Sequence, residues 1–152
     1  MSQKTIFKIQ VSLVAILISG LAFAHTGAKG VVKERMDIMS DIGRSMKTIG
    51  QMIRSGEYDP KIAKQAALAI QEHASRIANL FPDGSIEEPS EALPSIWTNW
   101  DEFVAVAGKM DADAAQLARI AGNSAGIDDI KRQFRQLGKS CSGCHEKFRL
   151  KK

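Results

Sequence analysis

The chain has 152 residues, 44% of them hydrophobic and 25% charged, with a formal net charge of +4. This is a single-domain length with room for a real core and an ordinary soluble, globular composition. No basic stripe carries interleaved aromatics, which excludes nucleic acid as a partner.

The first stretch stands apart from the rest. Lys4 and Lys8 make a basic start, Val11 to Ala24 is almost wholly apolar or small, and no acidic residue precedes Glu34. A charged start, a short apolar middle and the ending Ala22-Phe23-Ala24 predict a secretory signal peptide over 1–24, cut after Ala24. A membrane anchor would need roughly 20 apolar residues, more than this run supplies. The mature domain is then 25–152, exported to the periplasm and free of the membrane. Loss of Lys4 and Lys8 lowers its net charge from +4 to +2.

Within 25–152 nothing repeats and nothing reads as a strand, because apolar residues recur at three and four almost throughout. The first helical stripe runs Val32, Met36, Met39, Gly43, Met46, Gly50 and Ile53, with Ile42 and Ile49 beside it, and ends near Ser55-Gly56. The second starts at Asp59-Pro60, a capping carboxylate followed by proline at the first helical position. Its stripe is Ala63, Ala67, Ile70, Ala74, Ile77 and Phe81, and Pro82-Asp83-Gly84 stops it. Residues 82–94 show no period and hold three of the four prolines with four acidic groups. They predict one long crossover from one end of a bundle to the other. The third helix begins near Pro94-Ser95 and places Ile96, Trp100, Phe103, Ala107, Met110, Ala114 and Leu117 on one face until Gly122-Asn123-Ser124. The fourth carries Ile127, Ile130, Phe134, Leu137, Cys141, Cys144 and Phe148. Asp128 and Asp129 lie at its start and Lys147, Arg149, Lys151 and Lys152 at its end, which suits the helix dipole. Four amphipathic helices of about 20 residues, or roughly 30 Å, predict an all-α antiparallel four-helix bundle.

The chemistry sits in Cys141-Ser142-Gly143-Cys144-His145. Cys-x-x-Cys-His is the attachment signal for haem c: two thiols add to the porphyrin vinyl groups and the adjacent imidazole reaches iron. On a helix Cys141, Cys144 and His145 project from one side, continuing the apolar stripe, so the haem is expected in the bundle interior. A thioredoxin-like pair would open a helix in a βαβ context. A zinc site would need a fourth ligand, and neither His25 nor His73 has the spacing for one. His73, between Ile70 and Ile77, reads more simply as a histidine at the core edge. Trp97 and Trp100 read as packing in or beside the core. No carboxylate pair, Ser-His-Asp set or phosphate loop appears, so no enzyme activity is expected.

The chain resembles the cytochrome c-prime and cytochrome c556 family over essentially all of its mature length. The resemblance rests on Cys-Ser-Gly-Cys-His-Glu-Lys-Phe-Arg at 141–149, Gly56-Glu57-Tyr58-Asp59, and Ser95-Ile96-Trp97. It implies one covalent haem c, His145 as an axial iron ligand, and Arg149 near the proximal haem face. Arg149 is equally a cation at a helix end. The second axial position divides the family: one branch leaves it open behind a non-ligating side chain, and the c556-like branch places a methionine there. Ile38-Met39-Ser40-Asp41-Ile42-Gly43-Arg44 is similar to the second pattern, which makes Met39 the candidate ligand. Methionine on a helical stripe also serves for packing, and Met36 and Met46 share that stripe. Arg35, one turn before Met39, is placed by the resemblance to pair with a haem propionate, or else lies solvated near the helix start. The expectation is a periplasmic electron carrier with low-spin His/Met haem, working with redox partner proteins. The rival is a five-coordinate cytochrome c-prime binding nitric oxide or carbon monoxide. Glu87, Glu88 and Glu91 either steer a basic redox partner or belong to a solvated loop. The sequence leaves a homodimer open.

Overall fold

The computed structural model describes residues 27–123 and 126–151, so the expected signal peptide, 1–24, lies outside the described residues. Four long helices form the body: α1 (Gly30–Ser55), α2 (Pro60–Arg76), α4 (Trp100–Gly122) and α5 (Ile127–Phe148). A single turn, α3 (Ser95–Thr98), precedes α4, and a 3₁₀ turn (Ala78–Leu80) follows α2. The expected all-α four-helix bundle is the observed fold.

Local chemistry sets most of the boundaries. Gly56 closes α1 in the left-handed region at φ 76°, and its N–H donates to Met52 O at 3.0 Å. Asp59 opens α2, its Oδ1 accepting from Lys61 N at 2.8 Å and Ile62 N at 3.1 Å. The second helix does not run to Phe81 as its stripe suggests. Pro82 disfavours helical backbone at the residue before it, and the chain tightens into the 3₁₀ turn instead. The third helix is also broken. Asn99 leaves helical geometry at φ −126° and ψ 43°, and its backbone N–H and side-chain Nδ2 both donate to Ser95 O at 3.0 Å.

The helices run up and down, and α2 with α4 makes the most extensive pairing, followed by α4 with α5 and α1 with α2. By contrast α1 and α5 touch sparsely. The crossover corrects the sequence reading, because it begins and ends at the same end of the bundle. Arg35 near the start of α1 holds Leu80 O and Ser85, while Leu93 N donates to Phe148 O at 3.0 Å at the end of α5. The crossover caps that end above Phe103, which is 2% exposed. Phe81 and Phe148 meet Phe103 edge-on, with ring centroids 4.8 and 5.4 Å away.

The core face of α1 is also rotated from its expected stripe. Val32, Ile38, Ile42 and Ile49 are buried, whereas Met36, Met39 and Met46 are half-buried and Gly43 is exposed. The branched side chains take the buried positions, and Met39 and Met46 pack against the core from its edge.

Candidate functional site

The last turns of α5 carry the Cys-x-x-Cys-His motif in unbroken helix. Cys141 and Cys144 are free thiols, half-buried and packed against the core. His145 follows Cys144 on the same turn, toward the exposed flank of α5. Rotation of α5 is set by a polar latch to α4. Ser140, 4% exposed, donates through Oγ to Asp113 Oδ2 at 2.5 Å, and Lys109 Nζ donates to the same oxygen at 2.8 Å. Gln133 Nε2 adds a bond to Asp113 O at 2.9 Å. A buried hydroxyl paired with a half-buried carboxylate is directional, so it fixes which side of α5 turns inward.

Burial pushes the Cys141 thiol up, opposed by a hydrogen bond to its own backbone and assisted by the charge of Asp113. Burial, then the neighbouring Cys141, pushes Cys144 up to about 11. Both shifts run opposite to the lowered thiols of disulfide oxidoreductases. Desolvation first and the Arg149 charge second hold the His145 imidazole below its ordinary value, with Glu91 opposing. Iron is bound by the neutral imidazole. Two unpaired thiols one turn apart, beside a neutral-leaning imidazole, make a donor set that fits covalent haem.

The facing surface belongs to α1. Gly50 lies against α5, where an added Cβ would stand 3.5 Å from Phe134 Cζ. Eleven residues separate Gly50 from Met39, and eleven separate Phe134 from His145. Eleven residues are three helical turns, so Met39 and His145 each return to the strip of the Gly50–Phe134 contact, about 16 Å along it. The helices are antiparallel, so this spacing puts positions 39 and 145 at about the same level of the sparsely packed α1–α5 seam. Met36 and Met46 are displaced from that level by one and two turns.

Arg35 is 5% exposed and bound to the crossover, not solvated. Its Nη1 donates to Leu80 O at 3.3 Å and Ser85 Oγ at 3.0 Å; its Nη2 donates to Ser85 O and to Ser90 Oγ at 3.3 Å. The guanidinium also lies 4.4 Å from the Phe81 ring centroid. Arg149 closes on Glu91 Oε2, from Nε at 2.8 Å and Nη2 at 2.5 Å. Glu91 thus pairs within the protein, whereas Glu87 and Glu88 are exposed. His73 sits at the core edge, its Nε2 3.7 Å from Asp41 Oδ2 across α1 and α2. Trp97 Nε1 donates to Phe81 O at 3.0 Å, and Trp100 is exposed. Sequence reasoning missed Asp113, Ser140 and the pairing of Glu91. Only Ser140, adjacent to the motif, gave any signal.

The family profile described as Cytochrome C' matches residues 30–149. The chain is 36% identical over 148 residues to cytochrome c-556 of Agrobacterium fabrum, covering 95% of this chain and 98% of the relative. It is 32% identical to cytochrome c-554 of Cereibacter sphaeroides, covering 80% and 81%. Its fold is similar to that of cytochrome c prime from Shewanella frigidimarina, with a TM-score of 0.74 and 25% identity over 80% of this chain and 94% of that one.

Proposed function

The chain belongs to the cytochrome c' family and binds one covalent haem c, and from that premise we propose that it carries electrons through a low-spin centre with His145 and Met39 as the two iron ligands. When bound, haem supplies a one-electron iron couple. Cys141 and Cys144 would tether it to α5 through thioethers. His145 offers its ring nitrogen from the same turn, so tether and ligand share one rigid segment. Met39 offers a soft, neutral thioether from α1, which favours the ferrous state. What carries this reading is the spacing: positions 39 and 145 each lie three helical turns from the Gly50–Phe134 contact, toward the same end of the antiparallel α1–α5 seam. The c-556 relative also bears the name of the branch that the Met39 segment resembles. Iron held by both His145 and Met39 would keep no open position for substrate chemistry, which suits a carrier exchanging electrons with redox partner proteins. The leader-like 1–24 segment supports export and a periplasmic location.

The second reading is gas binding at five-coordinate iron, with Met39 covering the distal side without ligating. The family match and the cytochrome c prime fold neighbour favour it. Optical spectra of the ferric and ferrous holoprotein, with and without carbon monoxide, separate the two. A low-spin ferric spectrum and a ferrous form that resists carbon monoxide are expected. A high-spin protein that binds carbon monoxide readily transfers the case to the second reading.

A further inference from the structure

Met39 and His145 belong to helices that pack sparsely against each other, and the crossover supplies a second link between them. At the Met39–His145 end, α1 and α5 are joined through the crossover. One part of it is pinned to α1 by Arg35, whose four hydrogen bonds reach Leu80, Ser85 and Ser90. The next part is pinned to the end of α5 by the Glu91–Arg149 ion pair. Leu93 N→Phe148 O at 3.0 Å and Leu150 N→Glu91 O at 2.8 Å reinforce it. Arg35 is one turn from Met39, and Arg149 is one turn from His145.

We propose that residues 81–93 are a strap holding α1 at a set distance from α5, with Arg35, Ser85, Ser90 and Glu91 as positioning residues that keep Met39 within reach of the iron. The inference rests on the His145/Met39 reading. Its physical basis is the cost of freeing Arg35. A guanidinium buried among loop acceptors and stacked on Phe81 cannot leave them without stranding a desolvated cation. The other anchor, Arg149–Glu91, is bidentate from arginine to one carboxylate oxygen and is backed by backbone bonds on both sides, which hold the loop in register with α5. The two anchors act in series. Releasing either one leaves the first turns of α1 held through α2 alone and free to shift relative to α5, so releasing both adds little more.

The test leaves Arg35, Met39 and His145 intact and loosens the strap from the loop side in the holoprotein. Ser85→Ala with Ser90→Ala weakens the α1 anchor, Glu91→Gln weakens the α5 anchor, and the triple variant weakens both. Glu87→Gln, at an exposed position on the same loop, is the control. Each anchor set should raise ferrous carbon monoxide affinity about tenfold, with a matching rise in the high-spin ferric fraction. The triple variant should stay close to the single sets, as expected for coupled sites. Amide exchange should quicken over 30–40 and remain unchanged over 45–55 and in α4. Carbon monoxide affinity equal to that of Glu87→Gln, or effects that simply add, overturns the strap. A wild type already high-spin overturns the ligation reading beneath it, a result distinct from either.

Discussion

Gly50 of α1 rests on the Phe134 ring of α5, and the contact has room for one more carbon. An added Cβ would lie 3.5 Å from Phe134 Cζ, ordinary contact, and 3.3 Å from Arg54 Nη1, the free end of a flexible side chain. Gly50→Ala should therefore stabilise the protein by about 1 kcal/mol, the helix-propensity gain over glycine. Gly50→Leu should wedge the helices apart and cost about 1–3 kcal/mol. Gly56→Ala should cost about 1 kcal/mol, because φ 76° suits glycine alone. Urea midpoints of the holoprotein check all three, and a destabilised Gly50→Ala would mean the seam is tighter than described.

The Ser140–Asp113 latch gives a second stability prediction. Asp113→Ala strands a hydroxyl that is 4% exposed and should cost about 1–3 kcal/mol. Ser140→Ala removes the hydroxyl with its need and leaves Lys109 on the carboxylate, so it should cost about 1 kcal/mol. Denaturant unfolding of both variants, with their double mutant, measures the coupling. Additive losses would show that the latch does not act as a pair.

Features carried by local chemistry are legible in the amino-acid sequence. The caps at Asp59 and Gly56, the four apolar stripes and the Cys-x-x-Cys-His motif are each confined to a few neighbouring residues. What the sequence hides depends on partners far along the chain. Asp113 looks like any charge beside a stripe, and only its approach to Ser140 distinguishes it. The turning back of the crossover depends on Arg35, which is some 50 residues from the serines it binds. Rotation of α1 is misjudged because methionine and isoleucine count alike as apolar, though the isoleucines take the fully buried positions and the methionines the half-buried ones.

Tyr58 provides the pH prediction. Its hydroxyl is buried without a hydrogen-bond partner among the described residues. Burial, then Asp59, raises its phenol above the ordinary value of 10.0. The folded state therefore holds this proton more tightly than the unfolded state. The associated stability is present below pH 10 and is lost as pH rises through the folded value. Tyr58→Phe should flatten that alkaline decline and leave neutral stability unchanged or slightly higher. Tyr58 is the only tyrosine, so an ultraviolet phenolate titration reads it directly. A midpoint at or below 10 would contradict the account.

Covalent attachment should require both thiols. Cys144→Ala should retain at most a single thioether, and Cys141→Ala with Cys144→Ala should retain none. Denaturing electrophoresis stained for haem reads the result. Stain in the double variant would overturn the attachment site. Iron ligation can be followed separately, because His145 remains in both variants.

The decisive substitution is at Met39. If its sulfur ligates iron, Met39→Ala should convert a low-spin ferric spectrum to high-spin and open the ferrous form to carbon monoxide. The reduction potential should fall, because a ligand favouring ferrous iron has been removed. Met36→Ala and Met46→Ala should leave spin state alone, since they stand one and two turns from the level of His145. Stability cannot discriminate among the three. All are half-buried, and each loss should be at most the roughly 2–5 kcal/mol of a buried methionine cut to alanine. The spectrum can. Low-spin character that survives at Met39 but is lost at Met46 would place the iron two turns nearer the Gly50–Phe134 contact, and the register drawn from that contact would fall with it.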